Sequence, residues 1–178
     1  MTPEAFSAVA SRLCTACGMC CDGTMFQIVR MQPGDVPAEL SRLGLKIRCR
    51  ESEFFMEQPC SALSEKRCTV YEKRPTRCRQ FRCQQILRVE SGEADESETA
   101  RLIAETLALV EQTRRLIEQC GLREDGRSLM ERFDLVMSTP VDEKLEPEMV
   151  LTRGELEEMM RKLKLQLNRE FRPPPLTK

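Results

Sequence analysis

Cys14-Thr15-Ala16-Cys17-Gly18-Met19-Cys20-Cys21 is the stretch on which the reading of this chain turns. Four cysteines within eight residues are hard to explain as packing. A C-x-x-C loop lets two thiolates converge on one cation while backbone N–H groups point at the sulfurs. Gly18 suits such a turn, because it takes positive φ without a Cβ penalty. Three cysteines at this spacing match the C-x2-C-x2-C run that wraps iron–sulfur clusters, although Cys21 follows directly and the x3-C-P continuation is missing. Adjacent cysteines point in different directions. Either Cys20 and Cys21 serve different metals, or one of them supports the ligands from behind.

Working outward, Cys60, Cys68, Cys78 and Cys83 are the next candidate ligands. Eight thiolates fit two four-ligand sites, and four ligands with four buried thiols fit one. Cys78 and Cys83 fall on a helix expected from Pro75 to about Val89. Five residues is about 500° of helical turn, so they stand apart unless the helix ends between them. Cys49 and Cys120 have no spacing partner and read as ordinary thiols. From Glu65 to Arg88 eight basic residues face only two acids. Such charge stabilises thiolates, and Arg79, next to Cys78, is the first candidate for a cation beside the metal or cluster.

The whole chain agrees with a metal or redox reading. Its 178 residues contain ten cysteines, and nine lie before residue 91. No apolar run approaches the ~20 residues of a membrane span, and the N-terminus lacks the pattern of a secretory signal. A cytoplasmic protein with no membrane association is expected, and in a reducing compartment thiols serve metals rather than disulfides. There is no histidine, which excludes mixed Cys/His sites and histidine-based catalysis. With no tryptophan and one tyrosine, stacking platforms for nucleic acid are not expected. The net charge of −1 divides into +4 over residues 1–90 and −5 over 91–178.

The composition changes near Ser91-Gly92-Glu93. Residues 1–90 read as a metal-stapled cysteine module and 91–178 as a helical extension packed against it, the two forming one compact unit. In the module a helix is expected from Pro3 through Leu13, a strand over 24–31, a short helix over 35–43 stopped by Gly44, and short strands over 46–50 and 53–56. In the extension, Asp95 and Glu98 open a long helix. Leu102, Leu109 and Leu116 with Ile103, Val110 and Ile117 form its apolar face, and Gly121 ends it. A shorter helix covers 128–137. The last is expected to open on a Thr152–Glu155 capping box, to carry Leu156, Met159, Met160, Leu163, Leu167 and Phe171 in one stripe, and to stop at Pro173-Pro174-Pro175. The fold expected is mainly α with a few short strands.

Three motifs in order carry a specific resemblance: Cys14-x-x-Cys17-x-x-Cys20-Cys21, then Cys60-x7-Cys68, then Val70-Tyr71-Glu72-Lys73-Arg74-Pro75-x-x-Cys78-Arg79-x-Phe81. The chain resembles the CxxCxxCC zinc- or iron-chelating family, the YkgJ-type cysteine cluster proteins, over about residues 14–83. The resemblance implies metal ligation by Cys14, Cys17, Cys20, Cys21, Cys60, Cys68 and Cys78, with Cys83 near a position that is often cysteine. The implied cofactor is zinc or an iron–sulfur cluster. The family includes flagellin lysine N-methylases, but no glycine-rich cofactor loop is present here and a shared metal module does not carry an activity with it. The leading expectation is a structural or accessory metal protein, working with a protein partner if with any. The alternative is a redox or catalytic iron–sulfur protein acting in electron transfer or in modification of another protein, such as methylation.

Overall fold

A computed structural model describes residues 2–123, 126–142, 144 and 146–173. The chain is mainly helical with few short strands, as its periodicities require. Two compact units form. One comprises the described residues of 1–17, 82–125 and 132–178, and the other residues 18–81 and 126–131. The units are therefore not the two halves of the sequence. The first helix and the segment after residue 81 belong with the helical unit, and residues 126–131 belong with the cysteine unit. Among the described residues no helix is long and apolar enough to cross a membrane.

The helical unit contains α1 (Pro3–Cys17), α4 (Gln84–Ser91), α5 (Glu96–Gln119), α7 (Pro147–Glu170) and most of α6 (Leu129–Ser138). Asp95 caps α5, its carboxylate accepting the Glu98 N–H at 2.7 Å. Gly121 takes φ +86° just past the other end. Arg88 lies 3.9 Å from Glu98 and 4.0 Å from Glu170, so α7 ends where α5 begins and the two run antiparallel. Leu156, Met160, Leu163 and Leu167 of α7 are buried.

The buried stripe of α5 keeps Ile103, Val110 and Ile117 of the expected apolar face but replaces its three leucines with threonines. It is Thr99, Ile103, Thr106, Val110, Thr113 and Ile117, with Leu102, Leu109 and Leu116 half-buried at its flank. Spacings of four and three place these residues on one seam. The Thr106 and Thr113 hydroxyls donate to the Leu102 and Leu109 carbonyls of their own helix at 2.8 Å, so each threonine packs as valine does. Thr113→Val should therefore leave stability unchanged or raise it by up to about 1 kcal/mol. Thr113→Leu should overpack the seam and cost about 1–3 kcal/mol. Denaturant unfolding tests this, and equal losses would show that the hydroxyl itself carries the position.

Three helix limits differ from expectation. α1 runs four residues past Leu13 and takes in Cys14 and Cys17. α7 starts at Pro147, which fits the first turn of a helix, and Thr152 lies inside it, donating to the Glu148 carbonyl at 2.9 Å rather than capping. The helix expected from Pro75 is two, α3 (Thr76–Gln80) and α4, separated by extended backbone at Phe81 (φ −68°, ψ 127°). Pro174 and Pro175 of the expected C-terminal stop lie outside the described residues.

The cysteine unit is built on a three-stranded antiparallel sheet of β1 (Ile28–Arg30), β2 (Ile47–Arg50) and β3 (Glu53–Glu57), in the order β1-β3-β2. The β2–β3 hairpin turns on Glu51 and Ser52, both at positive φ. Met56 on the central strand is buried with Leu40 of α2 (Pro37–Arg42), Leu45 and Ala62. Cys60 and Cys78 pack against this cluster, so the core of the unit and its candidate ligands are contiguous. A second hairpin, β4 (Leu63–Ser64) and β5 (Arg67–Cys68), turns on Glu65 and Lys66, again at positive φ.

Candidate metal centre

Four segments of the cysteine unit bring four thiols together. Cys21 sits in the turn opened by Gly18, its N–H donating to the Gly18 carbonyl at 2.9 Å. Its own carbonyl accepts the Cys60 N–H at 2.8 Å, which fixes those two residues side by side through the backbone. The small β4–β5 hairpin returns Cys68 opposite Leu63, and the Leu63 N–H donates to the Cys60 carbonyl at 3.0 Å. Cys78 enters on α3, where a single 3-10 turn (Tyr71–Lys73) and Pro75 end the preceding loop.

Electrostatics records the convergence. Burial first, and then Cys60, Cys78, Cys68 and Asp22 acting in the same direction, together push the Cys21 thiol up to about 12. Burial, reinforced by Cys60 and Cys68 and opposed by Arg74, brings Cys78 to about 11. Cys60 is raised by burial and by Cys68, against hydrogen bonds from the Ala62 and Leu63 N–H groups. Four half-buried thiols that repel one another as thiolates are stabilised together by a cation at their centre. The donor set is all sulfur, which fits zinc or an iron–sulfur cluster and does not fit magnesium or calcium. Among the described residues no three Cys, Asp or Glu side chains stand at the spacing of a finished coordination sphere. The thiols are near enough to feel each other's charge but not drawn to ligand distance, and it is the donor chemistry that fits the metal.

The other candidate ligands are placed differently. Cys14 and Cys17 lie three residues apart on the last turn of α1, hence on one face of that helix, with Cys14 exposed and Cys17 half-buried. Cys83 precedes α4. Burial raises its thiol while the Ile86 and Gln85 N–H groups of the first turn favour the thiolate. Cys14, Cys17 and Cys83 belong to the helical unit, where α1 packs on α4. Cys20 belongs to the cysteine unit, its Sγ 3.8 Å from the Met25 Sδ. Cys49 is exposed on β2, and Cys120 follows α5.

Residues 13–101 match the family described as a "putative zinc- or iron-chelating domain", CxxCxxCC. The chain belongs to this family. The matched segment takes in all eight candidate ligands and ends in the second turn of α5, short of most of the long helices that follow. No curated protein and no solved structure matches the chain.

Two contributors near the CxxCxxCC thiols were not singled out in the sequence. The cation acting on Cys78 is Arg74, which is held on the Tyr71 ring at 3.6 Å and donates to the Tyr71 carbonyl at 2.8 Å. Arg79, the expected neighbour of the metal, instead donates to the Thr76 hydroxyl at 3.3 Å and acts on Asp35. Asp35 is the second. Burial pushes its carboxyl up, but hydrogen bonds from Gln32 and Thr76 outweigh this and hold it below the usual carboxylate range. Residue 35 is forty-one positions from residue 76. Nothing in the local sequence pairs them.

Proposed function

We propose that this chain is a metal-binding protein of structural or accessory role, in which Cys21, Cys60, Cys68 and Cys78 hold one zinc ion. The observation that carries the reading is the convergence of four thiols from a turn, a loop, a two-stranded hairpin and a five-residue helix. Elements this short do not stabilise themselves, and a bound cation supplies folding free energy that they lack. Zinc, when bound, would crosslink the four segments, while Arg74 offsets part of the excess negative charge of four thiolates. Ten cysteines in a chain of 178 residues suit metal-bound thiols in a reducing, cytoplasmic compartment. Any partner we take to be a protein rather than a nucleic acid.

The same all-sulfur donor set supports an iron–sulfur cluster as the second reading, with redox or catalytic work in electron transfer or protein modification. Metal analysis with a visible spectrum, on protein purified without oxygen, separates the two. Colourless protein with zinc supports the first. Iron with acid-labile sulfide and a band near ~400 nm supports the second. Folded protein containing neither overturns both.

A further inference from the structure

Of the four segments bearing these thiols, α3 has the least support of its own. It is five residues long, and Pro75 before it offers no side-chain cap. Its first N–H groups would be left without partners. Asp35, in the turn after β1, supplies what is missing. One carboxylate oxygen accepts both the Thr76 N–H and the Thr76 hydroxyl at 2.8 Å. The other accepts the Gln32 N–H at 2.8 Å, and the Asp35 N–H returns to the Gln32 carbonyl at 3.0 Å. Both oxygens are thus occupied, one by the turn that follows the sheet and one by the start of α3.

We propose that Asp35 is a positioning residue for the metal centre, clamping α3 to the turn after β1 so that Cys78 is presented to the other three thiols. The inference rests on the metal reading above and deepens it. Cys78 lies two positions after Thr76, so loss of the clamp frees the ligand with less than one turn of helix to restrain it. Charge and position predict opposite signs here. The Asp35 carboxylate disfavours the Cys78 thiolate. If charge were its whole effect, removing it would tighten metal binding. If it clamps, removing it weakens binding.

Cobalt(II) titration of the full-length chain reads this directly, since thiolate-to-cobalt charge-transfer absorption follows the number of sulfurs bound. Asp35→Ala should lower cobalt affinity by about 10–100-fold, the usual loss when a partner that orients a ligand is removed. On cobalt-loaded protein, iodoacetamide should label Cys78 ahead of Cys21, Cys60 and Cys68. Thr76→Ser should match the wild type, and Thr76→Val should fall between. Affinity in Asp35→Ala equal to or above that of the wild type overturns the assignment, as does uniform labelling of all four cysteines, which would signal general loosening. If Asp35→Ala does not fold, Thr76→Val against Thr76→Ser decides by the same readouts. Wild-type protein that takes up no cobalt overturns the metal reading and this assignment with it, whereas uptake unchanged by the substitutions overturns this assignment alone.

Discussion

Cys21→Ser should remove the metal and with it most of the stability of the cysteine unit, while Cys49→Ser should change neither. Cys21 interacts with all three other thiols and its carbonyl holds the Cys60 backbone. Serine keeps the backbone bond and deletes only the sulfur, so the substitution isolates ligation. Structural zinc contributes on the order of 10–16 kcal/mol of binding free energy in small zinc-dependent folds. Losing one of four ligands should reduce affinity by more than the ~10–100-fold that loss of an outer partner costs. Cys49 is exposed on β2 and serves as the control. Metal stoichiometry and circular dichroism check the pair, and full retention of metal by Cys21→Ser would remove that residue from the ligand set. The pH dependence should reverse between the two forms. In metal-free protein Cys21 and Cys78 are raised from 9.0 to about 12 and 11, so their burial supports the fold below about pH 9. That support is lost as the pH climbs through the raised values. In loaded protein the thiolates are held by metal, and protons compete for them as the pH falls. The metal-free form should therefore weaken in base and the loaded form in acid.

How much of this was legible in the sequence depends on the range over which each contact acts. The capping of α5 by Asp95, the stop at Gly121 and the short strands of the sheet are local, and periodicity and turn chemistry identify them. The family was legible too, because the spacings of its cysteines are local. What was not legible is set by pairing. The threonine seam of α5 looks polar in sequence and becomes core only because its hydroxyls bond to their own helix. Thr152 and Glu155 carry a capping pattern, but Pro147 starts α7 more than a turn earlier. The division of the expected Pro75 helix at Phe81 leaves Cys78 on α3 and Cys83 in extended backbone just before α4, the case in which five-residue spacing no longer fixes their relation. Asp35 read as the opening of α2, and only the tertiary fold shows it serving α3. Arg79 adjoins Cys78 in sequence, yet the cation held toward that thiol is Arg74, fixed by its stacking on Tyr71.

Gly23→Ala should be the most damaging change in the cysteine unit that touches no thiol. Gly23 adopts φ +80°, which costs a residue with a Cβ about 1–2 kcal/mol. Space is the larger problem. A Cβ at this position would stand 2.9 Å from the Ser128 Cα, 3.2 Å from its Cβ and 3.3 Å from the Pro59 Cδ. Ser128 cannot retreat easily. Its N–H and hydroxyl donate to the Glu131 carboxylate at 2.8 and 2.6 Å in the capping box that opens α6, and it is fully buried. The Gly23 carbonyl accepts the Leu129 N–H at 3.1 Å, so the two backbones are already joined at their closest approach. Overpacking of this kind costs about 1–3 kcal/mol, and strain and crowding together should reach roughly 3 kcal/mol. Gly44→Ala is the comparison that separates them. Gly44 has a similar φ of +86° with nothing within 4 Å of the added carbon, so it should lose only the strain, about 1–2 kcal/mol. Denaturant unfolding of metal-loaded protein checks both. Equal losses would mean that the segment bearing Ser128 yields to the new methyl, and that its contact with the cysteine turn is loose rather than packed.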